Sequence, residues 1–306
     1  MEELTIDVLF PYYGDVALMK KAVQSVLAQT YENWQLKVFD DGMPGVEVAD
    51  FFSGLIEKEI AERGTSRISY ERNATNLGAN GNYKKALDAA TSRYYVMMGA
   101  DDEMKPNFLA RFAEVLAQQE KTQAPDIYQP MVDIIDENDR RYLPLADRMK
   151  RVIMPKKSGL YQGEDVSKSY IHGWHYYPSM VWRTELAKEV GFRPEFDTIQ
   201  DVCQGLDILQ LEGSIYVDRD SNSFSYRRHS RSDSSMKALT GLRFVQEKEF
   251  YLMKSAEFEE MGWDKAAKVA RRHTFSRLNA LTYLFPAMFS REGKPGLLLK
   301  HIFNLD

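Results

Sequence analysis

Residues 94–102 read Tyr-Tyr-Val-Met-Met-Gly-Ala-Asp-Asp, a short apolar run that ends in two adjacent carboxylates. An apolar run of this length is typical of a buried strand. The spacing of apolar residues beyond it predicts a helix over Pro106–Gln119. A strand followed by a helix is the basic unit of an α/β sheet, in which ligands bind at the carboxyl ends of the strands. The polar end of this stretch therefore predicts the position of a binding site.

The same alternation extends over the first 125 residues. Each apolar run predicts a strand, and each stretch with a period of 3.6 predicts a helix. The predicted strands are Leu4–Phe10, Gln35–Phe39, Arg67–Glu71 and Tyr94–Met98, and the predicted helices are Val16–Gln29, Phe51–Arg63, Asn82–Ala90 and Pro106–Gln119. Strands that alternate with helices indicate an α/β fold with a mostly parallel sheet flanked by helices.

The rest of the chain has a weaker helical pattern up to about residue 235 and is mainly helical after residue 240. The predicted elements of this middle part are the strands Ile127–Ile135, Ser214–Val217 and Ser223–Arg227 and a helix near Arg183–Val190. No repeat or low-complexity linker interrupts the chain. We therefore expect residues 1–125, 126–235 and 236–306 to pack as one unit.

The composition is that of a globular protein with a mild negative charge: 40 Lys and Arg stand against 45 Asp and Glu in 306 residues, a net charge of −5. Because nucleic-acid binding depends on a basic face, we expect no nucleic-acid partner. The single cysteine, Cys203, leaves no intrachain disulfide and no cysteine-rich metal site. The first residues lack the basic and apolar regions of a signal peptide, and no run approaches the ~20 apolar residues that span a bilayer. We therefore expect a cytoplasmic protein.

Two pairs of acidic residues follow predicted strands, and each pair has two interpretations. Asp101 and Asp102 offer the oxygen ligands that a divalent cation prefers, but they also precede a predicted helix, whose N-terminus a carboxylate can cap. Asp40 and Asp41, followed by Gly42, suit either a ligand site or a turn in which glycine takes a positive φ. Neither pair decides between its two interpretations alone.

Five motifs follow one another in the first part of the chain. They are Val8-Leu-Phe-Pro-Tyr-Tyr13, Ser25-Val-Leu-Ala-Gln-Thr-Tyr-Glu-Asn-Trp34, Val38-Phe-Asp-Asp-Gly42, Asn76-Leu-Gly-Ala-Asn-Gly-Asn-Tyr-Lys-Lys-Ala-Leu87 and Tyr95-Val-Met-Met-Gly-Ala-Asp-Asp-Glu-Met104. In this order they resemble the motifs of the family 2 glycosyltransferases, closely over roughly the first 110 residues and more loosely to about residue 235.

The resemblance implies a GT-A-like fold in three parts. Residues 1–125 would form a Rossmann-like half that binds a nucleotide sugar, residues 126–235 the acceptor-binding half, and residues 236–306 a helical C-terminal extension. The implied activity is transfer, with inversion, of a sugar from a UDP- or dTDP-linked donor to a hydroxyl of a glycan or lipid-linked acceptor. The resemblance also implies a divalent metal cofactor, Mn²⁺ or Mg²⁺, and a place in bacterial cell-surface polysaccharide synthesis.

The same resemblance assigns the donor side of the site. The implied nucleotide-sugar ligands are Pro11, Tyr12, Tyr13, Asp40 and Asp41 at the base and ribose, Asn76, Gly78 and Asn82 in the loop beside the nucleotide, and Asp101 at the ribose. Asp102 would hold the metal on the diphosphate. Many relatives carry another Asp at the position of Gly99, so metal binding in this chain rests on Asp102.

The acceptor side rests on the segment Phe196-Asp-Thr-Ile-Gln-Asp201. It resembles the family's acidic pair before a helix, whose final Asp is the general base, which makes Asp201 the implied catalytic residue. Gln200 replaces the usual Glu of the pair, and Asp197 is the spare carboxylate. The other interpretation of Asp201 is an N-cap of the helix that follows.

The segment Tyr226–Ser235 resembles the family's Arg-His…Ser loop, which closes over the diphosphate. The resemblance implies that Arg228 and Ser234 bind the leaving diphosphate and that His229 completes the metal shell. Cationic and hydroxyl donors suit a leaving group that gains negative charge. The alternative is a solvated basic turn.

The C-terminal extension is basic, since residues 236–306 hold 12 Lys and Arg against 8 Asp and Glu. Ala266–Phe285 has apolar residues at near-helical spacing, with Lys265, Lys268 and Arg272 on another side. A basic amphipathic helix of this kind can lie on an anionic membrane surface, here the inner face of the cell membrane. The alternative is a helix that packs on the catalytic domain or against a homodimer partner.

Two other functions fit parts of the pattern. A sugar nucleotidyltransferase would use a related sheet, but residues 11–15 after the first strand lack its Gly-rich basic loop. A non-catalytic glycan- or partner-binding module would account for Gly99 and Gln200, the two departures from the family pattern.

Overall fold

The structure, a computed structural model, describes residues 4–228 and 233–305. These residues form ten strands: β1 Ile6–Tyr12, β2 Trp34–Asp40, β3 Ile68–Arg72, β4 Tyr94–Met97, β5 Glu103–Met104, β6 Ile127–Ile135, β7 Arg141–Tyr142, β8 Gly159–Gln162, β9 Val181–Arg183 and β10 Ser214–Arg227. The α-helices are α1 Val16–Leu27, α2 Glu47–Arg63, α3 Gly78–Asp88, α4 Phe108–Gln119, α5 Leu145–Ile153, α6 Gly163–Tyr170, α7 Thr184–Val190, α8 Gln200–Gln210, α9 Asp233–Leu239, α10 Leu242–Glu260, α11 Asp264–Arg272, α12 Thr274–Phe289 and α13 Pro295–Phe303.

All the described strands belong to one sheet, in the order β3-β2-β1-β4-β9-β6-β10-β5, with β7 paired to β6 and β8 paired to β10. The six principal strands β3, β2, β1, β4, β6 and β10 run in one direction. The four short strands run against them. The predicted α/β fold with a mostly parallel sheet is therefore confirmed.

Helices cover both faces of the sheet, which explains why β1 is apolar almost throughout. Side chains alternate across a strand, so Val8 and Phe10 enter one core while Leu9 enters the other. One core packs against α1, α2 and α4, and the other against α3, α6 and α8. A strand buried on both faces reads as a continuous apolar run, the pattern that predicted this element.

The C-terminal helices pack directly on this second core. Phe250 and Phe258 of α10 and Ala267 of α11 belong to the same buried cluster as Leu9 and Cys203. A smaller cluster of Ala238, Phe244, Ala280, Ala287 and Leu298 joins α12 and α13 to α9 and α10. In the described part of the chain, no helix is long and apolar enough to cross a membrane.

Three predicted elements differ from the structure for local reasons. The two strands predicted within 214–227 are one strand, whose register shifts between Asp218 and Asn222 and so interrupts the alternation. Helix α3 begins at Gly78 rather than Asn82, because Gly78 takes a φ of 72° and its N–H donates to Asn76 Oδ1 (2.9 Å). The predicted amphipathic helix over 266–285 is broken at His273, a left-handed residue between α11 and α12.

Candidate active site

The carboxyl ends of β1, β2 and β4 meet at one edge of the sheet. Tyr12 lies opposite Asp40 in the register, and the backbone N–H of Asp41 donates to the carbonyl of Tyr12 (2.8 Å). The N–H of Met98, just past β4, donates to the carbonyl of Leu9 (2.8 Å). The three polar segments that follow predicted strands therefore lie side by side, as the parallel sheet requires.

Asp41 is buried and firmly held. Its Oδ1 accepts from Asn73 Nδ2 (2.8 Å) and from the N–H of Leu77 (2.7 Å), and its carbonyl accepts from Asn76 Nδ2 (3.1 Å). These bonds tie the end of β2 to the loop before α3, which contains the predicted Asn76 and Gly78. Sequence reasoning missed Asn73. Asn73 directly follows β3, just as the predicted polar residues directly follow β1, β2 and β4.

Two predicted ligands are turned towards the protein interior. Asp40 accepts from the N–H of Met43 (2.7 Å) and from the hydroxyl of Tyr70 (2.6 Å), one bond to each carboxylate oxygen. Asn82 donates to the carbonyl of Phe39 (2.8 Å) and accepts from Asn73 (3.0 Å). Both side chains are buried and hold the strand end that carries Asp41.

The segment at the end of β1 presents one exposed ring. Pro11 and Tyr12 are buried, and the hydroxyl of Tyr12 donates to the carbonyl of Gly14 (2.7 Å). Tyr13 is 57% exposed. Of the three residues predicted here, only Tyr13 therefore offers most of its side chain to a ligand.

Asp102 is buried where β4 and β10 end. Its Oδ1 accepts from the backbone N–H of Arg227 (2.7 Å), and the Arg227 guanidinium donates to the carbonyl of Asp101 (2.7 Å) and to Glu103 Oε1 (2.6 Å). Burial raises the pKa of Asp102 well above its usual range, and the negative charge of Asp101 raises it further. The cap of α4 is Asn107, so the N-cap interpretation of this pair does not describe the structure.

This pair of carboxylates fits a divalent cation. A positive ion would offset both the burial and the like charge that disfavour ionisation of Asp102. A Cβ at Gly99 would lie 2.3 Å from Asp102 Oδ2, so glycine leaves that oxygen room. No group of three or more metal-ligating His, Cys, Asp or Glu side chains occurs in residues 4–228 and 233–305. Asp102, with the charge of Asp101 beside it, would therefore hold an ion together with ligands from other sources, such as diphosphate oxygens.

Asp201 lies in the first turn of α8. Its Oδ2 is 3.2 Å from His175 Nε2, and its Oδ1 accepts from the N–H of Val202 (2.9 Å). The cap of α8 is Ile199, so Asp201 is not an N-cap. The buried ring of His175 stacks on Tyr170, with centroids 4.2 Å apart and planes within 5°.

The charge state of this pair follows from its surroundings. Burial alone would raise the pKa of Asp201. The hydrogen bond and charge of His175, with smaller contributions from the charge of Arg243 of α10 and the N–H of Val202, outweigh burial and lower the pKa to about 2. Burial lowers the pKa of His175 in spite of Asp201. Asp201 is therefore a carboxylate at neutral pH, held by a neutral imidazole that donates from Nε2.

Gln200 and Asp197 have structural partners. Gln200 accepts from the N–H of Arg193 (2.9 Å) and donates to its carbonyl (2.5 Å), a pair of bonds that a carboxylate could not make. Asp197 forms an ion pair with Lys237 of α9 (3.3 Å), and its carbonyl accepts from Asn80 (3.0 Å). The predicted spare carboxylate, Asp197, thus has a cationic partner, while Asp201 is held by a histidine.

Arg228 follows β10 and forms a two-pronged ion pair with the buried Asp147 of α5 (2.9 and 2.8 Å). The hydroxyl of Tyr176 donates to the same carboxylate (2.7 Å). Asp147 was not identified from the sequence, and no local motif marks it. The predicted His229 lies outside the described residues, and the side chain of Ser234, in α9, is likewise not described.

The two carboxylate sites lie near the same two tyrosines. The half-buried Tyr83 and Tyr226 each have their pKa raised by desolvation and by the charges of Asp101, Asp102 and Asp201, while the charge of Arg228 lowers that of Tyr226. Tyr83 belongs to the motif that contains Asn76 and Asn82, but its own part in the site was not recognised. The predicted donor-side and acceptor-side acids are thus brought together around two tyrosines.

Comparison with known proteins agrees with this arrangement. The sequence model of Glycosyl transferase family 2 matches residues 7–189, which is more than half of the chain. The chain therefore belongs to glycosyl transferase family 2.

Two curated relatives illustrate the range of the family. An uncharacterized glycosyltransferase of Nostoc sp. is 30% identical over 139 residues, 45% of this chain and 39% of the relative. The UDP-Glc:alpha-D-GlcNAc-diphosphoundecaprenol beta-1,3-glucosyltransferase WfgD of Escherichia coli is 29% identical over 102 residues, 33% of this chain and 37% of WfgD. Each match spans less than two fifths of the relative's own length.

Solved structures share the fold over almost the whole chain. The structure of S. aureus TarS 1-349 in complex with UDP-GlcNAc has a TM-score of 0.66 at 15% identity and covers 98% of this chain and 81% of that one. The mannosyltransferase PcManGT from Pyrobaculum calidifontis, solved with GDP-Man and Mn²⁺, has a TM-score of 0.58 at 12% identity and covers 97% and 78%. The predicted GT-A-like fold with a helical C-terminal region is confirmed.

Proposed function

We propose that this protein transfers a sugar from a nucleoside diphosphate to a hydroxyl of a glycan or lipid-linked acceptor, with inversion at the anomeric carbon. The observation that carries the proposal is Asp201, a carboxylate held ionised by His175 near the same tyrosines as Asp101 and Asp102. An ionised carboxylate near a pair of acids that suit a metal ion and a ribose fits base-assisted displacement of a diphosphate. Membership of glycosyl transferase family 2 supports this assignment.

On the donor side, Asp41 would accept a hydrogen bond from the base of a UDP- or dTDP-linked sugar. Tyr13 would cover the base, and the loop with Asn76 and Gly78 would border the nucleotide. Pro11, Tyr12, Asp40 and Asn82 would act by holding this edge of the sheet in place, since their side chains are buried. Asp101 would bind the ribose, and Asp102 would hold Mn²⁺ or Mg²⁺. A metal ion bound there supplies positive charge to the leaving diphosphate.

On the acceptor side, Asp201 would take the proton of the attacking hydroxyl. The hydroxyl oxygen then forms a bond to the anomeric carbon on the face opposite the nucleoside diphosphate, whose bond to that carbon breaks in the same displacement. Arg228 would place positive charge near the departing phosphate, and the predicted Ser234 would donate its hydroxyl to it. The predicted His229 would complete the metal shell. One displacement from the opposite face inverts the configuration.

A panel of nucleotide sugars incubated with the protein and Mn²⁺ tests the proposal. Release of a nucleoside diphosphate in the presence of a glycan or lipid-linked acceptor is the expected result. Release of pyrophosphate would instead identify a sugar nucleotidyltransferase. Binding of glycans with no nucleotide released from any donor would favour a non-catalytic module. WfgD acts on a diphosphoundecaprenol-linked sugar, which makes such lipids the first acceptors to test.

We also propose that α12 rests on an anionic membrane surface, at the cytoplasmic face. Leu278, Leu281, Phe285, Met288 and Phe289 share one face of this helix, and Phe285 and Phe289 are 71% and 75% exposed. Residues 274–305 contain four basic side chains and one acidic side chain. An apolar face surrounded by basic residues is attracted to anionic lipid. Two copies of this face would repel each other, because both carry positive charge.

Flotation with vesicles tests the membrane proposal. Wild type should bind vesicles that contain phosphatidylglycerol at low salt, and Phe285→Glu with Phe289→Glu should abolish the binding. The matched control is Leu145→Glu, a similarly exposed apolar residue on α5. A wild type that ignores the vesicles but sediments as a dimer would overturn the proposal in favour of a homodimer interface. Unchanged nucleotide binding in the double variant would show that the fold is intact.

A further inference from the structure

The imidazole of His175 has a hydrogen bond at only one of its two nitrogens. Its Nε2 bonds to Asp201, whereas Nδ1 is buried and has no hydrogen-bond partner in the part of the chain that the structure describes. A histidine that serves another group is ordinarily oriented by a hydrogen bond to its second nitrogen. Because Nδ1 lacks such a bond, a different contact must set the orientation of this ring.

Tyr170 of α6 supplies that contact. Its ring lies parallel to the imidazole, with centroids 4.2 Å apart and planes within 5°. The hydroxyl of Tyr170 donates to the backbone carbonyl of Asp201 (3.4 Å), and its side chain is fully buried. Trp174 meets the same tyrosine edge-on, at a centroid distance of 5.5 Å, and confines it from another side. Tyr170 therefore contacts both His175 and the proposed base.

Helix α8 leaves room for this tyrosine at one residue. Gly205 stands in the middle of α8, although glycine disfavours the interior of a helix. A Cβ at residue 205 would lie 2.2 Å from the hydroxyl oxygen of Tyr170 and 2.4 Å from Cζ of its ring. Any side chain at this position would displace the ring that stacks on His175. The position of Tyr170 thus accounts for a glycine in α8.

We propose that Tyr170 is a positioning residue for the general base, because its ring fixes the imidazole plane in which Nε2–H points at Asp201. This inference rests on the proposed function and identifies a residue that acts through His175. A ring stacked parallel to the imidazole blocks its rotation out of that plane, so the hydrogen bond to Asp201 is kept.

Nitrogen NMR of the protein labelled at histidine tests this role without any turnover. At neutral pH burial keeps His175 uncharged, so wild type should show one tautomer, protonated at Nε2 and bare at Nδ1. The signals are assigned by their loss in His175→Gln. Tyr170→Phe keeps the ring and should give the wild-type spectrum. Tyr170→Leu removes the ring and should give a mixture of tautomers, because the imidazole can then turn.

The pH–rate profile of sugar transfer is the second readout. In Tyr170→Leu a weaker hydrogen bond from His175 lets burial raise the pKa of Asp201, so an acidic limb should appear at about pH 4 to 5. We expect kcat to fall about fivefold and the KM for the nucleotide sugar to stay within about twofold. Tyr170→Phe should keep the wild-type profile. Lys150 of α5 and Arg243 of α10, the other charged groups that act on the pair, are the same in every variant.

The matched control is Tyr94→Leu. Tyr94 is likewise fully buried, packs edge-on against Phe112 and donates its hydroxyl to the backbone carbonyl of Pro125 (2.9 Å), but it lies in the other core. This control should lower the Tm as Tyr170→Leu does and leave the His175 signals and the pH–rate profile unchanged. Gly205→Ala displaces the ring without removing it and should reproduce the effects of Tyr170→Leu, which it replaces if that variant does not fold.

Three results would overturn the inference. They are a single Nε2-protonated tautomer in Tyr170→Leu and Gly205→Ala, an unchanged pH–rate profile in these variants, and a Tyr170→Phe variant that behaves like Tyr170→Leu. The last result would mean that the hydroxyl, and not the stacked ring, holds the site. If wild type released no nucleoside diphosphate from any donor, the proposed function would fail, while the NMR spectra would still decide whether Tyr170 orients His175.

Discussion

Asp102 and Asp201 both lie near Tyr83 and Tyr226, yet their surroundings shift their pKa values in opposite directions. At the end of β4, burial and the charge of Asp101 raise the pKa of Asp102. At the start of α8, the imidazole of His175 overcomes burial and lowers the pKa of Asp201 to about 2. One acid needs a cation from outside to become a stable anion, while the other is an anion already.

The difference between these two acids shows how one sheet can support both metal binding and proton abstraction. An acid whose ionisation is disfavoured gains most from a bound metal ion, which suits a site for a metal and a diphosphate. An acid with a fixed hydrogen-bond donor keeps its orientation and its charge, which suits a base that must meet a hydroxyl. Each of the following variants changes one of these two acids or a residue next to it.

The largest effect is expected from Asp201→Asn. An amide cannot take the proton of the acceptor hydroxyl, so kcat should fall about 1,000-fold, within the usual range for loss of a general base. The Kd for UDP with Mn²⁺ should stay within about twofold of the wild type, because Asp201 is not on the donor side. Turnover near the wild-type rate would mean that Asp201 is not the base.

Asp102→Asn should weaken Mn²⁺-dependent binding of UDP at least about tenfold, as expected for damage to a metal site. The same substitution should increase the stability of the metal-free protein at high pH. The folded pKa of Asp102 lies above its unfolded value of 3.8, so the metal-free wild type loses stability as the pH rises above about 4. The Tm of Asp102→Asn should therefore exceed that of the wild type by about 2 °C at pH 8, and the gap should close at pH 4.

His175→Phe keeps an aromatic ring to stack on Tyr170 but removes the donor to Asp201. The stability that the depressed pKa of Asp201 provides is present above pH 3.8 and is lost as the pH falls towards 2. Without the donor, burial should raise that pKa above 3.8. We expect kcat to fall about tenfold and an acidic limb to enter the pH–rate profile above pH 4.

His175→Gln is the matched control, since its amide can still donate a hydrogen bond. It should recover part of the lost rate and shift the acidic limb back towards lower pH. If the phenylalanine and glutamine variants gave identical pH–rate profiles, the hydrogen bond would not be what holds Asp201 ionised.

Gly99→Ala should have the smallest effect. The added methyl would lie 2.3 Å from Asp102 Oδ2 and must displace that carboxylate. We expect Mn²⁺-dependent UDP binding to weaken about fivefold, equivalent to ~1 kcal/mol. The pH–rate profile set by Asp201 should not move. Tighter binding of UDP in this variant would contradict the prediction, because it would mean that the position of the Asp102 carboxylate in the wild type does not favour metal binding.

The sequence predicted best those parts of the fold and of the site that depend on short continuous stretches of the chain. The strands β1, β2 and β4 and the acids at their ends follow from short apolar runs, because a parallel sheet brings such ends together. The same reasoning did not find Asn73 or Asp147, whose partners come from other elements. His175 lies in an aromatic cluster that is equally consistent with plain core packing. Its contact with Asp201 joins residues 26 positions apart, which no periodicity encodes.

The C-terminal helices were predicted to pack with the rest of the chain, but the residues that join the main core were not identified. The spacing of their apolar residues predicts that one face of each helix is buried, but it does not predict which surface packs against that face. The break at His273 was missed for a related reason, since a left-handed histidine leaves no mark on the apolar spacing.

The packing of α10 has a practical consequence for protein engineering. The family match ends at residue 189, but Asp201 follows it, and Phe250 of α10 packs edge-on against Phe196 just ahead of this proposed base. Gln246 of the same helix accepts from both the N–H (3.1 Å) and the hydroxyl (2.7 Å) of Thr198. A chimaera or expression clone cut at the family boundary would lose the proposed base and the helix that packs against the loop before it. Exchanging acceptor specificity between relatives therefore requires junctions placed beyond α11.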